Sequence, residues 1–249
     1  MNYIIASYAG TKYEFSLELQ MQNLFTILLN KKTTLLKQIT IVCPSVKPHH
    51  TRKQFYYNWD KWIHLFQMYL PHIGLIYMDY IGENLHASYD QWLQAILKFP
   101  DFEYYLLVED DYCIHPSLLD FDSQLVNTYN DIVKDNNYIG YVCTYADAIM
   151  GHPYHAAISN GIINKKTIEA FKDIELLKEY YKCSSNYGIE QVGFSNLFLK
   201  FNIPVYSLHN IYKAIFWSSY RNKVECFSKN DVKQYLFIPI QFLTTINDF

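Results

Sequence analysis

Short apolar runs and longer amphipathic segments alternate along the first half of the chain. Apolar runs of four to six residues predict strands, and apolar residues spaced three or four positions apart predict helices. The predicted strands lie at 3–6, 39–42, 73–78 and 104–108, and the predicted helices at about 17–28, the latter half of 49–69, 84–96 and 116–132. This order is typical of an α/β fold with a doubly wound, mostly parallel central sheet flanked by helices.

The second half of the chain is less regular. It contains a strand-like segment, a further strand that we expect Gly161 to interrupt, two helices and a last strand candidate, at 138–144, 156–163, 167–181, 189–201 and 203–208. No linker rich in Gly, Ser or Pro divides the sequence. We therefore expect one domain at 1–210 and a C-terminal extension at 211–249 that packs on it.

Composition narrows the class of protein. The chain has 249 residues, half of them hydrophobic, and a net charge of -3, which argues against an electrostatic nucleic-acid binder. Its five cysteines form no CxxC pair, so they indicate free thiols in a reducing compartment, not a disulfide framework or a zinc site. Only two of the 21 basic residues are arginine, as in proteins from AT-rich genomes of bacterial or large-virus type.

The sequence predicts neither a membrane span nor a signal peptide. No run approaches the roughly 18 apolar residues that a span needs, and the first ten residues lack a basic region followed by a long apolar one. We expect a cytoplasmic protein. The apolar segment 235–246 is predicted to be a packed strand, and a patch facing a membrane or a partner is the alternative.

Three acids follow the fourth predicted strand directly: Glu109, Asp110 and Asp111. A strand with no polar alternation is typical of a parallel sheet covered on both faces, and ligands bind such sheets beyond the carboxyl ends of the strands. Three adjacent negative charges repel, so we expect a positive group nearby. A divalent metal with a phosphate ligand is one interpretation, and a solvated acidic turn is the other.

An apolar strand that ends in Glu-Asp-Asp resembles the DxD-type motif of nucleotide-sugar glycosyltransferases with the GT-A fold. The EDD form is similar to that of some N-acetylglucosaminyltransferases. Three further segments resemble motifs of that family in the same order. Residues 84–88 are similar to the segment N-x-G-x-S/A, with His86 in place of the glycine. Residues 159–163 resemble the strand that lines the acceptor side. Residues 188–191 and 202–205 together resemble the family's E-D … G-x-x-V segment. The resemblance covers roughly residues 2–210.

The resemblance implies a metal-dependent transfer of a sugar from a nucleotide-diphosphate sugar to a hydroxyl acceptor, such as a glycan. Mn²⁺ or Mg²⁺ would be the cofactor, because hard carboxylates bind these ions and the ions neutralise a leaving diphosphate. Asp111 would be the direct metal ligand, with Glu109 on the ribose or on a metal-bound water. His209 would be a third ligand, and a structural histidine is the alternative.

Other roles follow from position. The donor-binding residues that we predict are Ser7, Tyr8, Asp79, Asn84, Glu109 and Asp110. Glu190, at the start of a predicted helix and on its apolar stripe, is the candidate general base of an inverting transfer. An acid that only complements the helix dipole is the alternative for Glu190, and retention of configuration stays open.

Two other functions compete with this prediction. A catalytically silent carbohydrate-binding or scaffold protein would keep the same fold without turnover. A sugar-nucleotide pyrophosphorylase would share the architecture, but its phosphate-binding loop needs several glycines and the segment 9–12 has one.

Overall fold

Strands and helices alternate along the part of the chain that the computed structural model describes, which is residues 1–7, 16–31, 33–44, 59–80, 87–110, 112–149, 152–171, 198, 200–208 and 237–239. The strands are β1 (Asn2–Ala6), β2 (Gln38–Pro44), β3 (Gly74–Tyr80), β4 (Tyr104–Glu109), β5 (Tyr112–Ile114), β6 (Tyr141–Ile149), β7 (His152–Asn164), β8 (Val205–Ser207) and β9 (Phe237–Pro239). The helices are α1 (Ser16–Leu29), α2 (Trp59–Tyr69), α3 (Ala87–Lys98), α4 (Phe121–Val133) and α5 (Lys165–Ala170), and a 3₁₀ turn spans Lys134–Asn136.

Seven of these strands form one mixed sheet in the order β3-β2-β1-β4-β7-β6-β8. The first four are parallel to one another, β7 is antiparallel to both β4 and β6, and β8 is parallel to β6. The chain builds outward from β1 through β2 to β3 and then returns to place β4 on the other side of β1. The strand order therefore reverses between β1 and β4.

Helices cover both faces of this sheet, and the period-two pattern of the strands decides which side chains meet which helices. On β1, Tyr3 and Ile5 belong to a core with residues of α1, α2 and α4, while Ile4 and Ala6 belong to a second core with residues of α3 and α5. All five residues of β1 are buried. The predicted fold class, a doubly wound and mostly parallel sheet flanked by helices, is confirmed.

The indole of Trp92 contributes to the packing of helix α3 against the centre of the sheet. Trp92 is fully buried, packs edge-on against Tyr89 at 5.3 Å, and donates from Nε1 to the carbonyl of Val108 at 3.3 Å. That carbonyl lies one residue before the end of β4. The position of the first turn of α3 is thereby tied to the carboxyl end of β4.

Most predicted elements of the first half occur close to their predicted positions, with differences at their ends. The helix predicted from Pro116 begins at Phe121, because residues 116–120 form turns with hydrogen bonds from Leu118 N to His115 O and from Phe121 N to Leu118 O. Asp79, predicted to follow β3, lies inside that strand. The helix predicted at 167–181 begins at Lys165 and ends at Ala170, because Phe171 has an extended conformation, and residues 172–181 lie outside the described residues.

Gly161 does not interrupt its strand, contrary to the prediction. It pairs with Leu107 of β4 and with Cys143 of β6, in the middle of the sheet. A Cβ at this position would lie 2.6 Å from the carbonyl oxygen of Val142 and 2.7 Å from the hydroxyl of Tyr141. The glycine is therefore required by close packing of the neighbouring strand, not by a turn.

The predicted C-terminal extension contributes a strand. β9 pairs antiparallel with β5, and Ile238 of β9 lies opposite Cys113 of β5. Strand β5 follows the acidic residues directly. This strand lies within the apolar segment 235–246 for which the sequence predicts a strand. No helix of the described residues is long and apolar enough to cross a membrane.

A buried ion pair joins the ends of α1 and α4. The carboxylate of Asp122 is fully buried and accepts hydrogen bonds from Lys31 Nζ, from Thr34 Oγ1 at 2.6 Å and from the amide of Leu35 at 2.7 Å. The Lys31 side chain is 2% exposed. Burial by itself would raise the pKa of Asp122, but these hydrogen bonds outweigh it and hold the pKa below its usual value.

We expect Gly161→Ala to lower the free energy of unfolding by about 1–3 kcal/mol, because the added methyl group must displace backbone atoms of β6. Urea titration measures the change. Gly74→Ala is the matched control: a Cβ there has its nearest contact at 3.6 Å, so its stability should be unchanged or slightly higher. Equal stability of the two variants would show that the sheet tolerates a side chain at 161.

We expect Asp122→Asn to destabilise the protein by about 3 kcal/mol at neutral pH, since the variant removes the buried carboxylate that pairs with Lys31 and leaves this ammonium only the exposed Asp120 at 3.9 Å. Because the pKa of Asp122 is lowered in the folded protein, its carboxylate contributes its full stabilisation above the ordinary pKa of about 4. This stabilisation is lost as the pH falls through the lowered pKa. The difference between wild type and variant, measured by denaturant titration, should therefore shrink only in acid.

Asp101→Asn is the control for this experiment. Asp101 pairs with Lys165 at 3.5 Å, but its side chain is 92% exposed, so the substitution should leave stability unchanged. If both substitutions had the same small effect, the Lys31–Asp122 pair would contribute no more than a surface contact.

Candidate functional site

The acidic residues lie where the strand order of the sheet reverses. Ala6 and Glu109 are paired at the carboxyl ends of β1 and β4, and the next residues, Ser7 and Asp110, are joined across the gap. Ser7 Oγ donates to Asp110 Oδ2 at 3.0 Å, and the Asp110 amide donates to the carbonyl of Ala6 at 3.0 Å. Both side chains are 2% exposed. Asp110 is thus buried and fixed to the end of β1.

Glu109 is held by side chains from three different elements. Its carboxylate Oε1 accepts a hydrogen bond from Ser88 Oγ of α3 at 2.8 Å, and its amide donates to Asn160 Oδ1 of β7 at 2.8 Å. Its carbonyl accepts from Gln20 Nε2 of α1 at 3.5 Å. Glu109 is half-buried, so its side chain lies between the protein interior and the open edge of the sheet.

A layer of buried polar side chains supports this edge. Gln91 Nε2 donates to the carbonyl of Ser7 at 3.0 Å, and Thr144 Oγ1 donates to the carbonyl of Asn160 at 2.8 Å. Gln20, Gln91 and Asn160 are all fully buried. In the described part of the chain, Gln20 Oε1 and Asn160 Nδ2 have no hydrogen-bond partner. Such buried atoms are costly, and their presence at one edge of the sheet indicates a requirement other than stability.

The donor set of this edge suits a hard divalent cation. Ser7 and Ser88 donate to the carboxylates of Asp110 and Glu109 through neutral hydroxyl groups. Mg²⁺ and Mn²⁺ take carboxylate oxygens, and Mg²⁺ is commonly bound by one or two carboxylates together with phosphates. Among the described residues no three His, Cys, Asp or Glu side chains form a complete metal site. Asp111 and His209, two of the three predicted ligands, lie outside those residues.

Asp79 lies at the same edge of the sheet, two strands from β1. It follows Met78, which pairs with Val42, which in turn pairs with Ala6. With neighbouring strands about 4.8 Å apart, Asp79 is roughly 10 Å from the end of β1. Its side chain is exposed, so it is open to a ligand lying along this edge.

The other predicted site residues fall outside the described residues. They are Tyr8, Asn84, Asp111, Glu190 and His209. Their roles stay predictions. The described residues bring together Ser7, Glu109 and Asp110, and place Asp79 farther along the same edge.

The residues that follow the acidic triplet include two buried titratable side chains, Cys113 and His115. Burial raises the pKa of Cys113 well above its usual value and lowers the pKa of His115 to about 4, so the thiol and the imidazole are both neutral near pH 7. His115 Nδ1 accepts a hydrogen bond from the Ser117 amide at 3.2 Å. Cys43, Cys113 and Cys143, the three described cysteines, are buried.

Two buried glutamines of the site, Gln20 and Gln91, can be recognised in the sequence by their position among apolar residues. Gln20 lies on the buried face of α1, between Leu17 and Leu24 in helical spacing, and Gln91 lies beside Trp92 on the buried face of α3. A glutamine inside an apolar stripe indicates a buried hydrogen bond. Asn160, directly before the constrained Gly161, has no comparable signal, because its partner on β4 is distant in sequence.

No protein-family model matches this chain, and no curated protein sequence matches it. Among solved structures, the chain is similar to a glycosyltransferase involved in the glycosylation of the major capsid of PBCV-1, with a TM-score of 0.47 and 14% identity over 96% of this chain and 93% of that one. It is also similar to 4-diphosphocytidyl-2C-methyl-D-erythritol synthase, with a TM-score of 0.37 and 12% identity over 83% of this chain and 88% of that one. At identities this low, a functional proposal has to come from the residues of the site.

Proposed function

We propose that this protein is a metal-dependent glycosyltransferase that moves a sugar from a nucleotide-diphosphate sugar to a hydroxyl acceptor, which we expect to be a glycan. One observation carries the proposal. The acidic residues Glu109 and Asp110 lie at the carboxyl ends of β4 and β1, at the point where the strand order reverses. Open α/β sheets bind nucleotides in the crevice at this point.

The chemistry of the crevice favours a diphosphate bound with a metal. The carboxylates of Glu109 and Asp110 repel phosphate, so a cation between them and a diphosphate would favour binding. Arginine, the side chain best suited to bind phosphate in a bidentate manner, occurs only at Arg52 and Arg221. A divalent cation is the simplest source of the missing positive charge.

Each residue of the edge then has a role. Asp111 and Glu109 would hold Mn²⁺ or Mg²⁺, with His209 as a third ligand, and the cation would supply the positive charge that a leaving diphosphate needs. Ser7 and Asp110 fix the geometry of the turn through their hydrogen bond. Tyr8, Asp79 and Asn84 are the further donor-binding residues of the proposal.

The acceptor hydroxyl also needs a group to take its proton. We assign this role to Glu190, in an inverting transfer. A carboxylate in the first turn of a helix is stabilised in its ionised form by the helix dipole, which is the form that a general base needs.

The protein should bind UDP or GDP only with a divalent metal. Isothermal titration calorimetry with Mn²⁺, and again with EDTA, measures this, and Asp111→Asn should abolish the metal-dependent binding because it removes the ligand charge but keeps the shape. Asp131→Asn, an exposed acid on α4, is the control and should bind as wild type does. Equal affinity with and without metal would remove the basis of the proposal.

Turnover separates the transferase from the competing functions. Transferases hydrolyse their donors slowly in the absence of an acceptor, so a panel of nucleotide sugars with Mn²⁺ should yield free sugar and nucleoside diphosphate from one of them. A binding or scaffold protein would release neither product. A pyrophosphorylase would release nucleoside triphosphate when pyrophosphate is added.

Glu190→Gln should lower the transfer rate by about 10²- to 10⁴-fold and leave donor affinity unchanged, because glutamine keeps the volume but cannot accept the proton. Initial rates, donor affinity and the thermal midpoint are measured together. Glu169→Gln, an exposed glutamate on α5, is the control and should transfer at the wild-type rate. A Glu190→Gln variant that is less stable but transfers normally would assign Glu190 a structural role.

A further inference from the structure

The backbone of Glu109 is fixed on both sides of its Cα. Its amide donates to Asn160 Oδ1 at 2.8 Å, and its carbonyl accepts from Gln20 Nε2 at 3.5 Å. An amide N–H can only donate, so the contacting atom of Asn160 is its oxygen and the orientation of that side chain is determined. The remaining freedom of Glu109 lies in its side-chain torsions.

Ser88 restricts that remaining freedom. Its hydroxyl donates to Glu109 Oε1 at 2.8 Å, and the serine is only 4% exposed in the first turn of α3. The helix that carries it is anchored by Trp92, which is fully buried and donates to the Val108 carbonyl. The donor group therefore cannot follow the carboxylate if Glu109 rotates, and the hydrogen bond selects one position for Oε1.

The polar side chains around Glu109 reduce stability locally. Gln20 Oε1 and Asn160 Nδ2 are buried without a partner in the described part of the chain, although apolar residues would fill the same interior positions without that penalty. Both side chains bond to the backbone of Glu109. Their shared target indicates that this residue has to be held in one place.

We infer that Ser88 is a positioning residue that holds the Glu109 carboxylate in the orientation in which it meets the metal–nucleotide ligand. This inference rests on the proposed function, since it concerns the same edge of the sheet. It adds a residue on α3 to a site built otherwise from strand ends. Ser88 itself does not contact the reacting atoms in this account.

The test compares Ser88→Ala with Ser88→Thr, which keeps the hydroxyl. Affinity for UDP and for GDP in the presence of Mn²⁺ is measured by calorimetry, alongside the thermal midpoint. Hydrogen bonds to charged groups contribute enough that Ser88→Ala should weaken metal-dependent binding by about tenfold, with binding restored in Ser88→Thr. Ser123→Ala is the matched control, because Ser123 Oγ also donates to a carboxylate, that of Asp122 at 3.3 Å, in the distant Lys31 ion pair.

The outcomes separate the inference from the proposed function. If wild type binds neither nucleotide with Mn²⁺, the proposed function fails and the inference fails with it. If wild type binds and Ser88→Ala binds equally well, the proposed function stands and the role of Ser88 is wrong. If Ser88→Ala and Ser88→Thr are weakened to the same extent, the volume at position 88 and not the hydroxyl matters, which also overturns the inference.

Discussion

The parallel pairing of β1 with β4 is the constraint on which the site depends. It brings the end of a strand at the start of the chain beside the end of a strand more than a hundred residues later, and the hydrogen bond from Ser7 to Asp110 closes the gap between them. The pairing is possible because every residue of β1 is buried under helices on both faces. The adjacent carboxylates of Glu109 and Asp110 thereby lie at the point of the sheet where a crevice is expected.

A hydrogen-bond network holds the acidic residues in place although their charges repel and polar groups are buried around them. Glu109 and Asp110 are adjacent acids, and the side chains that fix them come from α1, α3, β7 and the end of β1. A folded protein gains little stability from such a layer, since Gln20 Oε1 and Asn160 Nδ2 have no hydrogen-bond partner among the described residues. The Lys31–Asp122 pair contrasts with it, because there a buried carboxylate is neutralised by an ammonium within the protein. At the acidic edge, we assign that neutralising role to a ligand.

The central part of the fold could be predicted from the sequence, because local patterns determine it. Apolar runs without alternation give β1 and β4, and the amphipathic stripes give α1 and α3, within a few residues of their observed ends. The predicted start of α4 at Pro116 is too early, since Pro116 is compatible with a turn as well as with a first helical turn. The prediction that Gly161 interrupts its strand is wrong because the close contact of this residue is with β6, which a local pattern does not reveal. For the same reason, the sequence indicates the carboxylates of the site but not the hydrogen bonds that Asn160 and Gln20 make to Glu109, because these bonds join distant elements.

The location of the metal and nucleotide tests the central claim most directly. A crystal grown with Mn²⁺ and UDP or GDP would give an anomalous difference peak at the position of the manganese. The account predicts one peak beyond the carboxyl ends of β1 and β4, within bonding distance of a carboxylate of the acidic triplet and of the diphosphate. A nucleotide bound with its diphosphate and manganese away from this edge would contradict it.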